Sequence, residues 1–198
     1  LACLAGIKIA RKVKARSISE IRDLLHQSLV DMGKMSKNSI LAKVLYRLEK
    51  YIYQKSEAII VTVPGMIDYI TTLAGISNTK ITYINNGVDI KKYDENKMGN
   101  DSRVVQIVED NAGKIKCLYT GAIGFGNHID NIVHSAELLS DEGIDNVSFI
   151  IVGDGPEKER LIKLSEDRGL NNIKFYPPIK KNSIPVLLNF ADVEIFNT

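Results

Sequence analysis

Short β-branched apolar runs alternate along the chain with stretches whose apolar positions recur at helical spacing. The runs lie at Ser17 to Arg22, Ala58 to Val63, Lys80 to Ile84, Ile115 to Thr120, Val147 to Val152, Ile173 to Tyr176 and Val193 to Phe196. Each has the length of a buried strand, and strands separated by helical segments predict parallel pairing through crossover helices, an α/β fold. Between them, Leu41, Val44, Leu45, Leu48 and Ile52 share one helical face behind Ser39, a candidate N-cap, so this helix is expected to lie on a sheet. Ile129, Ile132, Val133, Ala136 and Leu139 repeat the spacing behind Asn127, with the same expectation. Pro64-Gly65 opens a third amphipathic stretch that closes near Gly75. Pro156 stands where a first helical position is expected, with Gly169 at the exit.

The rhythm breaks once. Between Asp89 and Lys114, 11 of 26 residues are charged, with turn signals at Gly99-Asn100 and Asn111-Ala112-Gly113. A crossover between two domains is expected there: residues 1–86 as the back part of one doubly wound domain, 87–113 as the crossing, and 114–198 as the front part of another. No repeat of solenoid period is present. The chain opens on Leu1 rather than Met, and Asn197-Thr198 follows directly on a strand-like run, so an internal piece of a longer protein is expected.

Composition narrows the picture. In 198 residues, 44% hydrophobic and 25% charged is a globular balance. Twenty-six Lys and Arg against 24 Asp and Glu leave a formal charge of +2, so the overall field does not propose nucleic acid as a partner. Cys3 and Cys117 cannot build a disulfide framework or a four-ligand zinc site, and reduced thiols of a cytoplasmic chain are the expectation. His26, His128 and His134 lack partners at zinc-ligand spacing, so no metal is expected. The longest apolar runs, such as Val147 to Gly153, fall far short of the roughly 18 residues that a membrane span needs.

Four segments carry candidate chemistry. Tyr119 to Asn127 is a strand emptying into a loop with Gly121, Gly124 and Gly126, ahead of a helix. Glycines permit close backbone approach, and the free N–H groups of a following helix favour a phosphate, although the spacing is neither a dinucleotide fingerprint nor a P-loop. Ile150 to Glu157 repeats strand, glycine turn and helix, with Asp154 as either a turn former or a functional carboxylate. In open α/β sheets ligands gather at such carboxyl ends. Tyr176 to Pro185 is a proline-stiffened loop with Lys180 and Lys181, a cation source suited to a diphosphate or simply a solvated loop. Tyr83 to Asp89 ends a strand in Asn85-Asn86-Gly87, either a hinge or an ordinary turn.

In this order and at these distances, the segments at Asn86 to Asp89, Tyr119 to Asn127, Val152 to Pro156 and Ile173 to Val193 resemble the family 4 (group 1) retaining glycosyltransferases of the GT-B fold. Ser19 to Leu24, Leu45 to Glu49 and the Gly121, Asn127, Asp130 spacing resemble more narrowly the WbuB-like branch, which serves bacterial surface-polysaccharide biosynthesis. The resemblance implies two Rossmann-like lobes, both incomplete here, and a nucleotide-sugar donor site made by Gly121, Gly124, Asn127, Gly153, Asp154 and Lys181. It also implies a saccharide or lipid-linked acceptor and catalysis without a metal or other cofactor. Catalytic residues stay unassigned, with Asp23 and His26, at a strand exit, as acceptor-side candidates.

The sequence departs from the family pattern at Leu25-His26, where the branch has Trp-Pro, at Asn85, where Pro is commoner, and at Ala122 and Asn127 or His128, where many members carry Arg and Lys. The paired glutamates of the family's donor site are absent from these residues. The piece itself is therefore expected to be inactive. The alternatives are a GT-B sugar-nucleotide epimerase and a non-catalytic α/β nucleotide-binding domain. A cytoplasmic location is expected. The basic stretch Lys8, Arg11, Lys12, Lys14 and Arg16 reads either as a solvated helix face or as an attraction to the anionic inner face of a membrane.

Overall fold

The computed structural model describes residues 2–97, 99 and 101–196. Asn100, half of one turn signal, and Asn197-Thr198 lie outside them. The chain divides into two compact units, residues 1–87 and 88–198.

The first unit runs α1 (Ala2–Val13), β1 (Ile18–Ile21), α2 (Leu25–Asp31), α3 (Ile40–Lys55), β2 (Ala58–Val61), α4 (Met66–Ala74) and β3 (Ile81–Tyr83). Its strands form a parallel sheet in the order β1-β2-β3. Ser39 caps α3 as its composition predicts, its side chain accepting from the Ala42 N–H at 3.1 Å. Gly75 ends α4 in the left-handed conformation at φ 64°, which a Cβ would strain. The core joins Tyr53 of α3, Ile59 and Val61 of β2, Ile70 and Ala74 of α4, and Ile81 of β3.

One expectation fails in α3. Its buried positions are Ala42, Glu49 and Tyr53, while Leu41 and Val44 are exposed. The apolar spacing is helical, but the helix is rotated so that a carboxylate and a tyrosine, not the aliphatic stripe, face inward. The polar contacts of Glu49, described below, make that rotation affordable.

The second unit runs α5 (Ile90–Asn96), α6 (Ser102–Glu109), β4 (Ile115–Ala122), α7 (Asp130–Asp141), β5 (Val147–Asp154), α8 (Lys158–Asp167), β6 (Ile173–Tyr176), α9 (Ile184–Phe190) and β7 (Val193–Glu194). All its strands pair in parallel, in the order β6-β5-β4-β7. On β5 six consecutive residues are buried, and their packing partners alternate with the two-residue period of a strand covered on both faces. Phe149 and Ile151 pack with Ile132 and Val133 of α7 and Leu161 of α8, whereas Ile150 and Val152 pack with Val104 and Ile107 of α6 and Val186 and Leu187 of α9.

The charge-rich segment after Asp89 forms α5 and α6, each capped by an aspartate, Asp89 accepting from Lys92 N–H at 3.0 Å and Asp101 from Arg103 N–H at 2.9 Å. Two local expectations change. Asn127 does not cap α7; it ends a 3-10 turn, and Ile129 holds the cap position without a side-chain bond. Pro156 precedes the cap of α8, Glu157, instead of opening the helix, while Gly169 follows the helix at φ 65°.

Charge divides as unevenly as topology. Residues 1–87 hold thirteen Lys and Arg against six Asp and Glu, a formal +7, and residues 88–198 hold thirteen against eighteen, a formal −5, which together make the near-neutral total.

Candidate functional site

In the second unit the chain moves outward from β4 through β5 to β6 and then returns to place β7 on the other side of β4. The carboxyl end of β4 is thus the point where the strand order reverses, the position at which open α/β sheets hold ligands. A cleft of about 380 Å³ lies there, lined by Tyr119 to Ala122 at the end of β4, by Asn127, by Leu188 of α9 and by Glu194 to Phe196 around β7. Its size is in the range of a small-molecule site.

Two of the expected donor residues, Gly121 and Asn127, line this cleft, while Gly124, Gly153, Asp154 and Lys181 lie outside its lining. Gly124 is close behind: a Cβ there would sit 3.3 Å from Asn127 Oδ1. Gly121 pairs in register with Gly153, and a Cβ on Gly153 would fall 1.9 Å from the Gly121 carbonyl oxygen. One on Gly155 would fall 2.3 Å from the Ile123 carbonyl oxygen. The second glycine loop is therefore set by backbone packing: it closes on the first, with Ile123 N–H donating to Asp154 O at 2.8 Å and Glu157 N–H to Ile123 O at 3.1 Å. Asp154 is exposed, and its Oδ1 accepts from Gly155 N–H at 2.9 Å, the bond of a turn former. Lys181 is exposed on the 3-10 turn Lys181–Ser183 that leads into α9.

A cation that the sequence reading passed over stands nearer the loops. Lys158, in the first turn of α8, donates from Nζ to Gly153 O at 2.8 Å and to Tyr176 O at 3.1 Å, joining the carboxyl ends of β5 and β6. Its only sequence signal is its place just after the glycine turn. Behind the sheet, buried Asn111 donates to Ile107 O at 2.6 Å and to Tyr176 Oη at 3.0 Å and accepts from Ser148 Oγ at 2.6 Å. Cys117 is half-buried on β4, and burial raises its thiol pKa. His134 is on the flank of α7, 3.1 Å from Glu137, which also pairs with Arg168. Among the described residues no three His, Cys, Asp or Glu side chains are grouped to hold a metal ion.

In the first unit, Asp23 is exposed just past β1, and His26 is mostly buried in α2. The neighbour that sequence reasoning missed is Glu49, 7% exposed, which accepts from the Tyr69 hydroxyl at 2.9 Å and also bonds the Tyr53 hydroxyl and His26 Nε2. The Tyr46 ring meets that of His26 edge to face with centroids 5.3 Å apart, and the Tyr46 hydroxyl donates to Gln27 Oε1 at 2.8 Å. Burial, and then the bond to the Glu49 carboxylate, push the phenols of Tyr53 and Tyr69 far above the ordinary tyrosine range. No sequence spacing announces this cluster, because a mid-helix Glu reads as surface charge.

Each unit is an α/β unit built on a parallel sheet, and the likeness to solved glycosyltransferases given below makes the fold one of the GT-B type. Residues 102–198 match the model of the glycosyl transferases group 1 family. A protein of Escherichia coli (strain K12), provisionally named as the colanic acid biosynthesis glycosyl transferase WcaI, is 25% identical over 201 residues. The match takes in 98% of this chain and 48% of that protein, so the chain spans about half the length of its curated relative. Among solved structures, HepE of Anabaena, in complex with UDP and glucose, superposes with a TM-score of 0.70 at 17% identity, over 98% of this chain and 50% of that one. WaaG, a glycosyltransferase involved in lipopolysaccharide biosynthesis, gives 0.63 at 14% identity, over 91% and 50%. At such identities the likeness is one of fold.

Proposed function

We propose that the protein transfers a sugar from a nucleotide-sugar donor to a saccharide or lipid-linked acceptor in cell-surface polysaccharide synthesis, and that the second unit holds the donor. The observation that carries this reading is the cleft at the switch point, in the part of the chain that matches the group 1 family model. The structural relative HepE, solved with UDP and glucose, supports a nucleoside diphosphate as the leaving group.

In such a transfer an acceptor hydroxyl oxygen bonds the anomeric carbon, the bond from that carbon to the diphosphate oxygen breaks, and the diphosphate leaves with the electron pair. A site for this reaction must hold developing negative charge with dipoles already in place. The backbone around Gly121, Gly124 and Asn127 would supply close approach. Lys181 would add a charge, and Lys158 would hold the Gly153 turn and the end of β6 in position. Asp23 and His26 remain the acceptor-side candidates. The reading requires no metal and places the reaction in the cytoplasm, at the inner face of the membrane; among the described residues no helix is long and apolar enough to cross one.

Calorimetric titration with UDP, followed by assay with radiolabelled UDP-sugars and a lipid-linked saccharide, tests the reading. Saturable UDP binding that a Gly121→Val substitution removes is the expected outcome. UDP binding indifferent to that substitution would take the donor out of the cleft.

A further inference from the structure

Three donors converge on one buried carboxylate in the first unit. The Tyr53 and Tyr69 hydroxyls donate to Glu49 Oε1 and Oε2, and His26 Nε2 meets Oε2. Burial, and then the bond to the carboxylate, keep both phenols protonated far above the ordinary range, so they stay donors and Glu49 serves only as acceptor. A carboxylate without a proton has none to give. The proton of the third bond therefore belongs to His26 Nε2, and in the neutral ring Nδ1 keeps its lone pair.

Nδ1 is the outward end of this network. It bonds no described residue, and the buried side-chain polar atom left without a partner among the described residues is Asn172 Oδ1, so Nδ1 meets solvent. The imidazole is only 16% exposed, and the edge-to-face ring of Tyr46, itself tied to Gln27, holds it from a second side. It stands just past β1, at the carboxyl end of the first sheet, where Asp23 is exposed and the Thr62 hydroxyl, past β2, donates to Arg22 O at 3.3 Å. Ligands of open parallel sheets gather at that end.

An α3 position that had only to be filled would hold an apolar side chain at lower cost, because a buried carboxylate must recover its lost hydration. Three donors are committed to Glu49 instead, and what they achieve is one ring orientation and one tautomer. His26 also stands where the resembled branch has Pro, so the pair is a feature of this chain and not of the branch at large.

We propose that Glu49 is a positioning residue for the acceptor: it holds His26 in the Nε2–H tautomer, leaving Nδ1 to accept a hydrogen bond from the attacking hydroxyl of a saccharide. This role rests on the reading above. Glu49 does not touch the sugar, and its effect passes through His26.

Glu49→Gln separates positioning from mere support, because an amide of the same shape can turn its NH2 toward Nε2 and drive the ring proton to Nδ1. NMR of protein carrying isotope-labelled histidine should find the His26 proton on Nε2, and on Nδ1 after Glu49→Gln, with circular dichroism unchanged. The protein expressed from its whole reading frame is then assayed with radiolabelled UDP-glucose as donor and octyl N-acetylglucosaminide as acceptor. Glu49→Gln should raise the acceptor KM and lower kcat, by about tenfold in kcat/KM, while UDP binds as before. His26→Ala should lose as much, and both changes together no more than either alone. A His26 proton on Nδ1 in the unsubstituted protein, or a tautomer and an acceptor KM indifferent to Glu49→Gln, would overturn the proposal and leave the donor reading standing. Weakened UDP binding in the Gln variant would overturn it as well, by showing a general loss of structure. Unsubstituted protein that binds no UDP and transfers no sugar would take down the reading above, and the acceptor role with it, even where the tautomer follows Glu49.

Discussion

The two units solve the same packing problem with different means. The second covers both faces of a four-stranded sheet with aliphatic side chains and locks its loops through glycines, so its strand ends are fixed by backbone contact. The first has three short strands and one aliphatic cluster, and it fastens α2, none of whose residues is buried, through side-chain polar groups: His26 to Glu49 and Gln27 to Tyr46. Apolar packing tolerates changes of charge and pH but not of volume. A buried carboxylate held by hydroxyls and an imidazole has the opposite sensitivities. Rigidity thus belongs to the unit with the cleft, and adjustability to the unit with the acceptor-side candidates.

That contrast can be broken most severely at Gly153. Gly153→Ala places a methyl group against the Gly121 carbonyl oxygen and should destabilise the second unit by about 3 kcal/mol or more, read as faster amide exchange in β4 and β5 with β1–β3 unchanged. Glu49→Ala should do the reverse. By leaving two tyrosine hydroxyls and His26 without their acceptor it should cost about 2–3 kcal/mol and release α2, with the second unit's exchange unaltered. Lys181→Ala should leave folding intact and weaken a nucleoside diphosphate by about 2 kcal/mol while sparing the nucleoside, as paired titrations would show; equal loss for both would remove Lys181 from the diphosphate.

Alkaline titration gives an effect with a defined sign that grows with pH. Tyr53 and Tyr69 titrate above the ordinary phenol value when folded, so their contribution is fully present below about pH 10. It declines above that pH, because the unfolded chain ionises first, by about 1.4 kcal/mol per pH unit for each. Phenolate absorbance should rise for these residues only together with loss of the first unit's helical signal. Smallest of all, Gly65→Ala, with open space around the added methyl, should shift thermal stability by less than about 0.5 kcal/mol.

The strands were legible because each is an apolar run bounded by turn residues, and β6 coincides with its expected bounds of Ile173 to Tyr176. The caps at Ser39 and Gly75 were legible because their chemistry is local. What was not legible depends on distance or on balance. In α6 the charged residues mask Val104 and Ile107, both buried, and in α2 no apolar periodicity exists to be read. The inward turn of α3 follows from partners at positions 26 and 69, which only the folded chain brings to Glu49. For the site, the glycine loops pointed to the end of the sheet where the cleft lies, but their spacing could not reveal that Gly153 packs on Gly121 or that the cleft opens toward β7.

The polar ties of the second unit also bear on how the chain is made. Asp101, which caps α6, bonds Ser183, 82 residues later, and Asp192 accepts from the Lys116 N–H at 2.8 Å across 76 residues. The paired strands of the first unit, by contrast, lie within 65 residues of one another, from Ile18 to Tyr83. At roughly 5–20 residues per second, the partner of Asp101 follows it from the ribosome by roughly 4–16 seconds. During that interval α6 carries Val104 and Ile107 with no α9 to cover them, so the growing chain passes through a stage at which one face of the acidic unit's sheet stands open.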